Sequence, residues 1–390
     1  MIPFFAEELS NINVLRACIS VDSTCDVARK LQVKDNQLKL NDTVVADLSH
    51  VNTSVSTQNL VVAQPMTDST DSLTPWEIKL SLVDTQKRSQ QAELKEWWSA
   101  KDLCETERMV CQHCNQCLID TVKYQFKDLP SEHWYELVEC WICHETKPEE
   151  HKSRMRPILA RPNVILVGTT YVLLHAQNIL SDAIQPNKAI LAKQDWTKGT
   201  FTKWVAIHCS ACDHVVGEGQ YNEASELLAA KMFKYTISPL PSPFGQPVFT
   251  DFLMSDLVNA AKTHATHKFL IQGRQSEQVY CLLWLFNWDT HILFNGGYNQ
   301  TDQTIQRKRV VKVMYLDCSK QPDEHTQKYL SLWSKDKSTD HLIYPDLFCR
   351  QLIDILTQSS LVLPPFMRQI DHPAMVFTRH FSVGFLPRFD

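Results

Sequence analysis

Two short cysteine pairs, Cys111-Gln112-His113-Cys114 and Cys209-Ser210-Ala211-Cys212, stand on either side of a stretch that reads as β-strands. Each pair sits where a strand runs into a turn, and the second is followed by Val215-Val216-Gly217-Glu218. A Cys-x-x-Cys knuckle places two thiolates on one side of a tight turn. Two knuckles brought together complete a tetrahedral zinc site with no open position. Such a closed site holds a fold together and does no chemistry.

Four knuckle-like spacings occur: Cys111/Cys114, Cys114/Cys117, Cys140/Cys143 and Cys209/Cys212. Spacing alone leaves the pairing open. Cys111/Cys114 with Cys140/Cys143 would close a local site, and Cys111/Cys114 with Cys209/Cys212 a long-range one. A free cysteine is otherwise a small core residue. The flanks favour the long-range pairing. Trp204 to His208 brings a strand into the second knuckle, with Gly217 as permissive backbone after it, and Leu118-Ile119 follows the first. Cys117 and Cys140 are then bystanders.

At 390 residues the chain is long enough for two or three domains. A formal charge of −5 lacks the positive excess that phosphate neutralisation needs, so no direct nucleic-acid partner is expected. Lys147, Lys152, Arg154, Arg156 and Arg161 form a local basic segment, but Glu149 and Glu150 interrupt it and it reads as a solvated linker. No secretory leader is read at Met1-Ile2-Pro3-Phe4, and no run approaches the ~20 apolar residues of a membrane span. Thirteen cysteines, partly at metal-ligand spacing, point to reduced thiols and zinc in cytoplasm or nucleus. The sequons at Asn41, Asn52 and Asn299 then carry no weight.

The expected class is α+β and β-rich, in three consecutive regions. Residues 1–103 read as an N-terminal antiparallel β domain, with strands at Asn13 to Ile19, Gln37 to Leu40 and Trp76 to Val83. Pro65 to Pro75 reads as a loop, and Gln86 to Leu103 as a connecting helix. Residues 104–220 form the zinc-bearing middle, with strands at Val164 to Gly168, Thr170 to Leu174 and Trp204 to His208. Residues 221–390 read as α+β. Helices are expected at Asn222 to Tyr235, Phe249 to Thr263, Glu324 to Trp333 and Asp346 to Gln358. A hairpin crosses Gly273 to Ser276, and Val310 to Leu316 is a strand.

One further segment runs His133-Trp134-Tyr135-Glu136-Leu137-Val138 and then Trp141-Ile142-Cys143-His144. Its tryptophans read as core on an amphipathic turn, and Cys143 beside His144 as a candidate half-site or reactive thiol. This pattern resembles the W-x-E-L…W-x-C-H signature of the HECT-like ubiquitin ligases that bind a ubiquitin-conjugating enzyme. Val167-Gly168-Thr169-Thr170-Tyr171, Cys209 to Glu218, Phe269 to Gly273, Val279 to Asn287, Val311 to Tyr315 and Ser331-Leu332-Trp333 continue in that family's order. The likeness covers the chain from about residue 105 onward. The middle region also resembles the β-tent zinc fold of Yippee-like and cereblon-type domains. Carried over, the ligands of one structural zinc are Cys111, Cys114, Cys209 and Cys212, while Cys143, His144 and Trp141 match the ligase signature.

The resemblance implies ubiquitin ligation with a conjugating enzyme, ubiquitin and a protein client as partners, a cyclin among the bound proteins, and cytoplasmic and nuclear placement. A thioester route needs one accessible cysteine of lowered pKa. Cys143, Cys318 and Cys349 are the candidates, one at most. HECT domains carry a Thr-Cys followed closely by Leu-x-Leu-Pro. Here Phe348 precedes Cys349, and Leu361-Val362-Leu363-Pro364 lies too far downstream. Cys349 therefore reads as core among Leu347, Leu352, Ile353 and Leu356, Cys281 as buried, and Cys318 as the better exposed. A second reading is a non-catalytic zinc-dependent adaptor that stabilises a client, of the pre-mRNA cleavage and polyadenylation machinery in the related proteins. A third, a small-molecule pocket of the cereblon kind, would need a cage from Trp134, Trp141, Trp196 and Trp204.

Overall fold

The computed structural model describes residues 2–64, 73–83, 98–129, 160–194, 196, 202–242, 247–296, 304–370 and 380–388. Strands dominate and helices are few. Among the described residues no helix is long and apolar enough to cross a membrane. The chain forms two compact units, one of Met1–Glu93 with Leu253–Asp390 and one of Leu94–Phe252. This differs from three consecutive regions because Phe4–Leu9 pairs with Val279–Asn295, across the second unit in sequence.

In the first unit Phe4–Leu9 lies in the interior of a nine-stranded sheet. It pairs antiparallel with Val14–Asp22 on one side and with Val279–Asn295 on the other, Phe5 opposite Phe294. Leu73–Val83 and Ser54–Ala63 extend the sheet one way, Lys268–Gly273 and Thr339–Tyr344 the other. Ile305–Asp317 and Ser382–Pro387 form a branch on Val279–Asn295. The two-residue period of a strand sends alternate side chains to opposite faces. Phe4 and Ala6 accordingly pack with Leu15, Ile19 and Leu38, whereas Phe5 packs with Phe294, Val310 and Phe385.

The helix Glu324–Trp333 starts where the Asp323 carboxylate accepts the Thr326 amide at 2.7 Å, an N-cap. Its Tyr329 and Trp333 pack with Leu270, Leu282 and Phe381. The helix Asp346–Ser360 buries Cys349, Leu352, Ile353 and Leu356 along one face. These helices, Phe249–His264 and the hairpin of Lys268–Gly273 with Val279–Asn295 match the sequence expectations.

In the second unit seven strands run in the order Gln125–Asp128, Val164–Val167, Tyr171–His175, Leu227–Phe233, Val215–Asn222, Thr202–Cys209, Ile184–Pro186. The first pair is parallel and the others antiparallel. A smaller sheet orders Ile237–Leu240, Arg108–Cys111 and Cys117–Asp120. One core joins Met109, Leu118 and Ile119 of the small sheet to Val205, Ile207 and Met232 of the large one. The unit reaches beyond the expected 104–220, since Trp98 and Leu103 plug this core and Ile237–Leu240 completes the small sheet.

Three local expectations are corrected. Asn222 to Tyr235 is not a helix: Leu227–Phe233 is a strand between Tyr171–His175 and Val215–Asn222. Its Ala, Leu and Lys content favours helix, but two flanking ladders override so weak a preference. Trp98 to Leu103 is turn rather than the end of a helix, with Trp98 at a φ of 50°. The rest of that expected helix, and all of the expected loop except Leu73–Pro75, lie outside the described residues; Leu73–Pro75 belongs to a strand.

Candidate metal centre

Both knuckles are the turns of β-hairpins. Cys111 ends Arg108–Cys111 and the chain returns through Cys117–Asp120, while Cys209 ends Thr202–Cys209 and returns through Val215–Asn222. The turns close with the same two backbone hydrogen bonds. The Cys111 amide donates to the Gln116 carbonyl and the Cys209 amide to the His214 carbonyl, each at 2.8 Å. The Asn115 amide donates to the Cys111 carbonyl at 2.8 Å and the Asp213 amide to the Cys209 carbonyl at 2.9 Å. Asn115 and Asp213 have φ of 61° and 59°. Asn and Asp tolerate this left-handed backbone better than other side chains. The spacing rule passes over them, although the signal is visible as an Asn or Asp directly after each second cysteine.

Cys111 Sγ lies 3.7 Å from Cys212 Sγ, and Cys114 Sγ lies 3.6 Å from Cys209 Sγ. All four sulfurs fall within 4.8 Å of one another. Thiolates bound at about 2.3 Å around a tetrahedral zinc stand about 3.8 Å apart. The four cysteines thus form a cluster that could hold a metal ion. Cys117 stands apart from it, its thiol 3.7 Å from the Ile119 carbonyl.

Cys111 and Cys209 are buried, Cys212 is half-buried and Cys114 is exposed. Burial pushes the Cys111 thiol up to about 12, although the Cys114 and His113 amides point at it. Burial also raises Cys212, against the His214 amide, whereas the Gln116 amide lowers Cys114. A bound dication reverses the effect of burial, because a coordinating thiol gives up its proton outright. Over the outward side the rings of His113 and His214 stack, centroids 3.6 Å apart and planes 14° from parallel.

The cysteines considered for chemistry are placed otherwise. Cys318 is 3% exposed, which corrects the expectation of an exposed thiol. Its strand ends one residue earlier, and the chain turns Cys318 inward against Leu270, Met314 and Trp333. Burial pushes its thiol up to about 12. Cys349 is fully buried, 3.6 Å from the Gln272 and Tyr344 carbonyls, and burial raises it to about 12 as well. Cys281 is buried, and its thiol is pushed well up as well, by burial first and then by Cys318. Thiols so raised are poor nucleophiles at neutral pH. Cys143, His144 and Trp141, with Cys140 and Trp134, lie outside the described residues. Of the other cage tryptophans, Trp196 packs on the core and Trp204 carries the Lys231 ammonium 4.5 Å above its ring.

A family model described as HECT-like ubiquitin-conjugating enzyme (E2)-binding matches residues 7–374. A Bos taurus protein named as an E3 ubiquitin-protein ligase is 27% identical over 295 residues, 69% of this chain and 72% of that protein. The Homo sapiens protein of the same name is 27% identical over 292 residues, again 69% and 72%. An uncharacterised protein of Schizosaccharomyces pombe is 26% identical over 195 residues, 48% of this chain and 51% of its own. No solved structure matches.

Proposed function

Because this chain belongs to the HECT-like ubiquitin-conjugating-enzyme (E2)-binding family, we propose that it binds a charged conjugating enzyme and promotes transfer of ubiquitin to protein substrates. The observation that carries this is the extent of the family match, residues 7–374, which takes in residues of both units. Relatives named ubiquitin-protein ligase over 69% of the chain support it.

The four-cysteine cluster holds one structural zinc through Cys111, Cys114, Cys209 and Cys212. Bound there, the ion would tie two hairpins together and offset half of the thiolate charge. The paired knuckles, one opening from each sheet, support the β-tent likeness. The described cysteines are free thiols, which suits a reducing cytoplasm or nucleus.

Relay through this chain would require a thiolate to attack the conjugating enzyme's ubiquitin thioester and expel that enzyme's thiolate. Burial of Cys318 and Cys349 supports a route that stops at neither. Cys143, beside His144, is then the candidate acceptor, and direct passage from the conjugating enzyme to a substrate lysine is the simpler route. The same burial favours, as second reading, a non-catalytic zinc-dependent adaptor for a client protein, with the pre-mRNA cleavage and polyadenylation machinery as the class to try first.

The test incubates purified chain with charged conjugating enzymes. Ubiquitin is expected to discharge onto lysine faster with the chain than without it. A reductant-sensitive ubiquitin adduct lost in Cys143→Ala would mark relay at that residue. Absence of both discharge and binding would overturn the ligase reading and leave the adaptor. The same preparation is expected to carry one zinc by metal analysis.

A further inference from the structure

Resting on the zinc reading above, we propose that His113, Cys212 and His214 form a second cation site on the outward side of the four-cysteine centre, with the Cys212 thiolate shared between the two. The donor atoms of these three residues lie within 4.8 Å of one another. His113 lies inside the first knuckle and His214 just beyond the second, so the site joins the same two hairpins. His113 is exposed and His214 half-buried, which leaves solvent access for an ion.

Charge favours a second ion. Four thiolates around one dication leave two negative charges. The amides of His113, Cys114, Gln116 and His214 offset part of that charge. Between Cys212 and His214, the exposed Asp213 adds another negative group, and His208 Nδ1 lies 3.3 Å from its carboxylate. A borderline-soft divalent cation matches two imidazole nitrogens and a thiolate. Three protein donors leave the fourth position to water, unlike the closed site beneath.

The rings stack in nearly parallel planes, so an ion cannot lie in both planes at once and one ring must turn when it enters. His113 is the more exposed of the two rings, and the turn is assigned to it. The first site is therefore the tight structural one and the second the weaker and exchangeable one.

Cobalt(II) separates the two by absorption. Titrated into metal-free full-length chain, the first equivalent is expected to give the thiolate-to-cobalt bands of a four-sulfur site. A second, weaker equivalent should then add a distinct change. In His113→Ala/His214→Ala the first equivalent should remain and the second disappear. The pair His113→Phe/His214→Phe keeps stacked rings without donor nitrogens and should lose it too. Saturation of the native chain at one equivalent overturns the second site alone. So does a second equivalent undiminished in either variant. Binding of no equivalent overturns the zinc reading together with it.

Discussion

Glu8 is 4% exposed in an interior strand, yet its surroundings are arranged for a charge. Arg307 reaches it through Nε at 2.8 Å and Nη2 at 3.0 Å, and the Thr53 hydroxyl donates at 2.7 Å. Burial raises its carboxyl, but the hydrogen bonds from Arg307 and Thr53 and the Arg307 charge outweigh that and leave it below the ordinary 4.5. A carboxylate whose folded pKa is depressed stabilises the fold fully above its unfolded pKa. That contribution is lost as pH falls through the lower, folded value. Melting measured between pH 3 and pH 7 should therefore drop on the acid side. Glu8→Gln should flatten that part of the profile and cost about 3 kcal/mol at neutral pH, since it leaves Arg307 uncompensated. An unchanged acid limb in the variant would assign the dependence to other carboxylates. None of this was readable from Phe4-Phe5-Ala6-Glu7-Glu8, where two adjacent acids look like solvated surface. Glu8 meets Arg307 and Glu7 meets the Lys312 ammonium, at 2.6 Å, across some three hundred positions.

At the scale of elements, the knuckles were legible because everything that shapes them is local: spacing, a strand on each side and a turn residue after the second cysteine. In the sequence Gly217 reads as permissive backbone after the turn. Its place is set by crowding, because a Cβ there would stand 2.0 Å from the Lys231 carbonyl oxygen of the adjoining strand. Backbone cannot step aside as a side-chain tip can. Gly217→Ala should cost about 3 kcal/mol by denaturant unfolding, at the upper end of overpacking effects, and weaken metal retention with it. Full stability in that variant would mean that the strands can separate at this point without loss. Leu227–Phe233 shows the opposite limit of reading locally. Its composition suits a helix, and its strand state comes from ladders on both sides, one of them to Tyr171–His175, far upstream in the sequence.

For the whole molecule, the class was legible and the connectivity was not. The first residues carried no motif, but they supply an interior strand of the larger sheet. A chain lacking residues 1–9 should lose the unfolding transition of the unit Met1–Glu93 with Leu253–Asp390, whereas Leu94–Phe252 should keep its own. Calorimetry with and without chelator separates the two transitions, because chelation should move only that of the unit carrying the four-cysteine cluster. Equal enthalpies in the truncated and full chains would show that the strand is dispensable. The buried cysteines belong at this scale too. Cys318 reads as exposed at a strand end, but strand residues Leu270 and Met314 and the later Trp333 pack around it.

The interior position of Phe4–Leu9 also sets a timetable. The Phe4 amide finds its acceptor on Asn295, 291 positions later. At ~5–20 residues per second, a ribosome takes roughly 15 s to a minute to supply that partner. Throughout the wait the nascent strand offers an unpaired edge, the kind of surface that captures other strands. The inserted residues 94–252 emerge in the meantime and can close around their metal while the surrounding unit is still open. Birth of this protein is thus a nested process, its middle able to close before its first strand meets the partner that completes it.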